Sequence, residues 1–238
     1  MSNDRAASPL AAVVAALERA HAAGELTDKQ LRWSLERVAG RVRDGGGADG
    51  GARPAAIVAA AARVFRREGY HHATLDAVAA ELGLTKAGIY HYFSSKLEIL
   101  EAICEGAVGA SEQVFAEALG GRGSPAERLR AAATAYASLV LTDDGLLIFI
   151  RHFDELSDLK RAQVRRRRKA ISAAIREVLE EGAAAGELDV PDPAVAVNAF
   201  FGSVNWIYSW YERGGRLSPD EVRDGLVRQV MSGVLARG

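Results

Sequence analysis

The sequence is short of the residues that impose covalent or rigid structure. One cysteine, Cys104, stands among 238 residues, so no intrachain disulfide can form. A reducing, cytoplasmic setting is expected, with Cys104 reading as a small buried hydrophobe rather than a redox sensor. No apolar run approaches the roughly 20 residues that span a bilayer, so no membrane is expected among the partners. The first residues, MSNDRAASPL, lack a basic head followed by an apolar stretch, and no secretory signal is expected. No nucleophile motif, metal-ligand spacing or phosphate-binding glycine loop is visible. The expectation is therefore no catalytic residue, no metal and no cofactor. No stretch has the alternation of a strand.

What remains is a chain that is 49% hydrophobic and 26% charged, rich in alanine, and suited to helices. Apolar stripes at helical spacing place two short helices over residues 9–23 and 28–43. The run DGGGADGGA (Asp44 to Ala52) reads as a flexible linker. Helices are then expected over 54–67, 75–82, 85–93 and 95–119, and over 126–141, 145–155, 159–185, 193–212 and 218–236. Thr74 and Thr85 sit where N-caps belong, and Ser95 with Glu98 forms a capping-box pattern. The net charge of −1 conceals an asymmetry. Residues 53–96 carry six Lys/Arg against three Asp/Glu, with three histidines, while the rest of the chain beyond them carries seventeen against twenty-one. A small basic region on a larger acidic body suggests that one region alone meets a polyanion.

The stretch GLTKAGIYHYFSSK (Gly83 to Lys96) concentrates aromatic and hydrogen-bonding residues at one bend. At about 100° per residue, Ile89 and Phe93 share one side, able to pack on the stripe Leu75, Val78, Ala79 and Leu82. Ala87 and His91 point the other way, flanked by Gly88 and Tyr90. Small residues let a helix come close to another surface, and Tyr and His can then reach phosphate oxygens from its sides. Two helices joined by a tight glycine turn, the second presenting such a face, make a helix-turn-helix. The hydroxyls of Thr74 and Thr85 beside free backbone N–H groups suit phosphate, and Lys96 adds a cation. The competing reading is a helical hairpin buried in a core. It holds for Ile89 and Phe93 and stays open for Tyr92.

TLDAVAAELGLTKAGIYHYFSSKLEIL, preceded by VFRREGYHHATL, resembles the DNA-binding segment of the TetR family of bacterial transcriptional regulators. The resemblance implies an all-α homodimer. An N-terminal helix-turn-helix DNA-binding domain would read a palindromic double-stranded operator. A larger helical ligand-binding and dimerisation domain would hold an effector that lowers DNA affinity. It divides the chain into an extra N-terminal helical hairpin (1–43), the linker (44–52), the reading head (53–97) and the body (98–238). By motif position, the implied DNA contacts are Thr74, Thr85, Lys86, Ala87, Gly88, Tyr90, His91, Tyr92 and Lys96, with Lys86 and Ala87 on base edges. The last two helices would form the dimer bundle. Val222, Leu226, Val230 and Val234 supply a stripe there, and Gly225 and Gly233 allow close approach. An internal helix pair is the alternative for them.

Aromatics crowd two body segments. Phe149, Phe153, Phe201 and Trp206, with Arg151, His152 and Asn205 as polar groups, are candidates for a cavity wall. Surface placement of Arg151 and His152 is equally compatible with the pattern. FDELSDLKRAQVRRRRK, with LEEGAAAGELD and NWIYSWYERGGRLSPDEV, resembles TetR-type repressors that sense acyl-CoA thioesters in fatty-acid or steroid breakdown. That resemblance implies an apolar tunnel, with Arg165, Arg166, Arg168 or Lys169 pairing with CoA phosphates. An unrelated hydrophobic effector remains the other reading. From different classes, the chain could be an all-helical enzyme using His91 or His152 as general base, or a protein acting through a partner on residues 1–43.

Overall fold

The computed structural model describes residues 52–235. The expected hairpin over 9–43 and nearly all of the linker lie outside the described residues, as does the expected end of the last helix at 236. The fold is all-α, apart from one isolated antiparallel bridge between Leu188 and Leu235.

Three short helices form the reading head: α1 (Ala52–Glu68), α2 (Leu75–Glu81) and α3 (Lys86–Tyr90). Local chemistry sets their ends. Thr74 Oγ1 accepts from the Ala77 amide at 3.1 Å, and Thr85 Oγ1 from the Gly88 amide at 3.2 Å. Both expected N-caps are therefore made. Between them, α2 closes through Gly83 N–H to Ala80 C=O at 3.2 Å and Leu84 N–H to Ala79 C=O at 2.9 Å. That closure needs a left-handed residue, and Gly83 supplies φ of 64°. The turn sets α3 across α2 as the sequence predicts.

The body holds α4 (Lys96–Leu119), α5 (Pro125–Thr142), α6 (Asp144–Arg151), a 3-10 turn (Phe153–Glu155), α7 (Asp158–Ala184), α8 (Pro193–Asn205), α9 (Ile207–Trp210) and α10 (Pro219–Ser232). Two expected helices are broken. The segment 145–155 interrupts at His152, with φ −117° and ψ 25°, and continues as the 3-10 turn. The segment 193–212 interrupts at Trp206, where the Ser209 amide and hydroxyl both donate to the Trp206 carbonyl, at 3.0 and 2.8 Å. A hydroxyl bonded to nearby backbone competes with the regular ladder.

Helix α4 is the hub: α1, α5, α6 and α7 all pack on it. Its buried side reads Ile99, Leu100, Ile103, Cys104, Ala107, Val108, Ser111, Phe115 and Leu119. Cys104 is fully buried, and burial pushes its thiol up to about 12, as a small hydrophobe requires. A ladder of ion pairs joins α4 to α7. Lys160 Nζ donates to Glu105 Oε2 at 2.6 Å, Arg167 reaches Glu105 Oε1 at 2.6 Å, and Arg167 also grips both carboxylate oxygens of Glu112, at 2.7 and 2.5 Å. Only 5% of Lys160 is exposed. Burial pushes the Glu105 carboxyl up, but Lys160 and Arg167 overcome it and hold the group down at about 2.

α10 lies along α5, which corrects the expected use of its apolar stripe. Val222 is buried within the protomer, and Val230 and Val234 line an internal cavity. Leu226 is half-buried, while Gly225 and Gly233 are exposed. The stripe is the face that α10 shows to its own protomer. Gly182 makes a close approach possible: a Cβ there would collide with the Leu188 side chain, so the turn after α7 folds back because that position has none.

Candidate functional site

The outward face of α3 is anchored from behind. Ile89 is fully buried and Phe93 is 4% exposed, whereas Thr85, Lys86, Ala87, Tyr90 and His91 are exposed, and Gly88 and Tyr92 half-buried. Thr74 is exposed at the start of α2 beside them. The nine expected contact residues thus fall into one open surface, with one exception. Lys96 turns inward. Its ammonium donates to the carbonyls of Tyr70, His71 and Ala73, at 2.6, 3.0 and 3.0 Å, and lies 4.7 Å from the Tyr70 ring centre. An ammonium has three hydrogens, and all are spent on the loop after α1. This corrects its assignment to a phosphate. Lys86 is also engaged, but openly: its Nζ lies 2.8 Å from Asp76 Oδ2, with about half of each side chain in water.

In the body, Phe115, Tyr136, Phe200 and Phe201 form an aromatic nest with ring centres 5.0–6.1 Å apart. Tyr136 donates to Asn205 Oδ1 at 2.8 Å. Burial pushes its hydroxyl up to about 12, against the nearby Arg168 and the Asn205 bond. Beside the nest lies an apolar cavity of about 40 Å³ lined by Phe115, Leu129, Ala132, Ala133, Ile175, Leu179, Ala196, Val197, Phe200, Val230, Met231 and Val234.

The sequence-derived ligand candidates divide three ways. Phe201 and Asn205 belong to the nest. Arg165, Arg168 and Lys169 are exposed on α7, while Arg167 between them turns inward, as Lys160 does a turn and more earlier. The third group lies off the cavity wall: Trp206 is 60% exposed, and Phe149, Arg151, His152 and Phe153 sit at or beside the joint between head and body. There His152 packs against Tyr70 and His71, with ring centres 5.4 and 6.0 Å away. Burial, then Arg151 and His71, hold the His152 imidazole below its usual value. The cavity residues that sequence reasoning missed, Leu129, Ala132, Ile175, Leu179, Val197 and Met231 among them, are apolar members of helical stripes, which mark a buried face without saying what it faces.

A helix-turn-helix head with an open reading face, set on a separate all-helical body with an apolar cavity, defines a DNA-binding transcriptional regulator of one architecture. Residues 57–103 match the family described as bacterial regulatory proteins, tetR family, and residues 122–234 match the tetracyclin repressor-like C-terminal domain. The chain belongs to the TetR family. It is 24% identical over 215 residues to the HTH-type transcriptional repressor KstR2 of Mycobacterium tuberculosis, covering 86% of this chain and 100% of that protein. The crystal structure of AibR in complex with isovaleryl coenzyme A and operator DNA is similar with a TM-score of 0.67 and 30% identity, over 74% of this chain and 97% of that one. A TetR/AcrR-family regulator from Thermobifida fusca has 34% identity and a TM-score of 0.63, over 76% and 97% of the two chains. No single described helix is long and apolar enough to cross a membrane.

Proposed function

We propose that the protein is a dimeric transcriptional repressor that binds a palindromic operator and is released by a hydrophobic effector of the acyl-CoA class. The observation that carries the reading is the face of α3, open and small-sided, with Ile89 and Phe93 sealed behind it. Lys86 and Ala87 meet base edges in the major groove. Thr74, Thr85, Gly88, Tyr90, His91 and Tyr92 meet phosphates. Lys96 acts at one remove, by holding the loop that carries α2.

The second copy covers the outer side of α8. Val195, Ala199, Gly202 and Trp206 follow one another at helical spacing and are exposed, with Val195 64% and Trp206 60% in water. Tyr208 and Trp210 continue the patch. A palindrome reader needs a symmetric partner, and this face, beside the exposed Gly225 and Gly233 of α10, is apolar without a cover inside the protomer.

The effector enters the cavity between α4, α5, α7, α8 and α10. The AibR complex with isovaleryl coenzyme A and operator DNA supports an acyl-CoA. At about 40 Å³ the cavity is far below the roughly 300 Å³ of a ligand pocket. An acyl chain therefore wedges helices apart, gaining about 0.8 kcal/mol per buried CH₂. Arg165, Arg168 and Lys169 lie on the outer side of α7 to take phosphates. Displacing α4 moves the head, because α4 follows α3 directly. The two heads must stand roughly 34–36 Å apart to enter successive grooves. A ligand with greater affinity for another spacing lowers DNA affinity by linkage.

The test is selection of bound duplexes from a random pool, followed by anisotropy on the selected site with increasing acyl-CoA chain length. A palindrome released by acyl-CoA is expected. Enrichment of no sequence sinks the reading. Release by no acyl-CoA removes the effector class and leaves the operator reader.

A further inference from the structure

Two imidazoles and a carboxylate meet where head joins body. His71 lies in the loop after α1, His152 ends α6, and Glu155 ends the 3-10 turn. Their candidate donor atoms all lie within 4.8 Å of one another, and His71 Nε2 is 3.0 Å from Glu155 Oε1. Neither the DNA-reading face nor the cavity uses them. Their backbones are fixed. Lys96 holds the carbonyl of His71 and those of Tyr70 and Ala73. Glu155 N–H donates to the His152 carbonyl at 3.2 Å, in a turn that eclipses positions three apart and sets the two side chains on one side. Tyr70 packs against both imidazoles, with ring centres 5.5 and 5.4 Å away, and limits their rotation.

We propose that His71, His152 and Glu155 form a binding site for a divalent transition metal of zinc type, and that the bound ion fastens the reading head to the body. Imidazole selects zinc, nickel or copper over calcium and magnesium, which take oxygen donors. Three protein donors leave the fourth tetrahedral position to water or a further ligand. Donors at about 2.1 Å from zinc stand roughly 3.4 Å apart. Closure from the present arrangement therefore takes side-chain movements of about an ångström and no change of backbone. The pivot between head and body crosses this cluster, so an ion there stiffens it. That consequence for the operator rests on the repressor reading, whereas metal uptake does not.

Full-length protein stripped with chelator is titrated with zinc chloride against a chromophoric competitor, without DNA. The expected result is one zinc per protomer, with affinity about tenfold or more weaker in His71→Ala and in His152→Ala, intermediate in Glu155→Gln, and unchanged in His72→Ala. Cobalt chloride gives a visible spectrum with the wild type that His71→Ala loses. His71 is exposed, so that variant keeps the test valid if His152→Ala fails to fold. Absence of uptake by the wild type, or uptake equal in His71→Ala, overturns the proposal. With an operator in hand, zinc shifts affinity in the wild type and not in His71→Ala; an equal shift in both overturns the fastening role.

Discussion

The head and the body use cations in opposite ways. In the head, Lys86 stays half in water against an equally open Asp76, on a surface with nothing over it. In the body, Lys160 and Arg167 are drawn between α4 and α7 and locked on carboxylates. An exposed pair is worth little and breaks readily. A buried pair contributes little relative to apolar packing, but removing one partner leaves a charge stranded. A surface that must exchange its partners for a duplex is served by the first arrangement. A pair of helices that must move as a unit is served by the second. Lys96 belongs to the second class although it sits in the head, since three carbonyls hold it.

The largest effect comes from breaking the body's ladder. Glu105→Ala strands Lys160, at 5% exposure, and is expected to cost roughly 3 kcal/mol, read as a fall in Tm or urea midpoint. The pH dependence has a definite sign. The Glu105 carboxyl is depressed from 4.5 to about 2 in the fold, so its contribution is complete above pH 4.5 and is lost as pH falls toward 2. The gap between wild type and Glu105→Ala therefore closes over that acid window. A gap that is constant from pH 7 to pH 3 would show that the ladder is not the source.

Lys96→Met sharpens the comparison inside the head. Loss of a charged donor from three carbonyls is expected to cost about 2 kcal/mol of stability. Operator affinity falls with it, but the slope of log affinity against log salt stays that of the wild type. A phosphate-bound lysine would lower that slope by about one. Salt titrations of both proteins decide between the two. Thr85→Ala, which removes the cap of a five-residue helix, is expected to cost about 1 kcal/mol, with operator binding weakened more than Tm. Operator binding by Thr85→Ala as tight as that of the wild type, despite the lost cap, would detach α3 from recognition.

How far these features are legible in the sequence follows from their range. Thr74, Thr85 and Gly83 act on backbone within three or four residues, so their positions in a linear string suffice. The apolar backing of α3 is legible for the same reason. Val222, Val230 and Val234 show the limit. Their spacing proves that α10 has an apolar side, and the same spacing serves a twin or a neighbour; α5 of the same protomer takes it. Lys96 chose backbone carbonyls, which carry no mark in a sequence. His71 and His152 meet across two domains, so no ligand spacing exists to be found. In the run RRRR, only the position of Glu105 and Glu112 on α4 decides that Arg167 turns inward.

The smallest effect tests the open pair itself. Asp76 stands in the first turn of α2, one residue from the Leu75 anchor and two from Thr74, on the side where phosphates are expected. Its carboxylate holds Lys86 Nζ at 2.8 Å in the free protein, and both side chains are half in water. Removing the charge frees Lys86 and takes one anion away from a polyanion. Against this, α2 loses a favourable charge at its N-terminus, a matter of a few tenths of a kcal/mol. Asp76→Asn is therefore expected to leave Tm nearly unchanged and to tighten binding about two- to fivefold on operator and scrambled duplex alike, within the 0–1 kcal/mol range of exposed pairs. Anisotropy on both duplexes reads it. If the operator alone weakens while the scrambled duplex does not, Asp76 is aiming Lys86 at a base edge, and the pair in the head is then as firmly tied to one geometry as the ladder in the body.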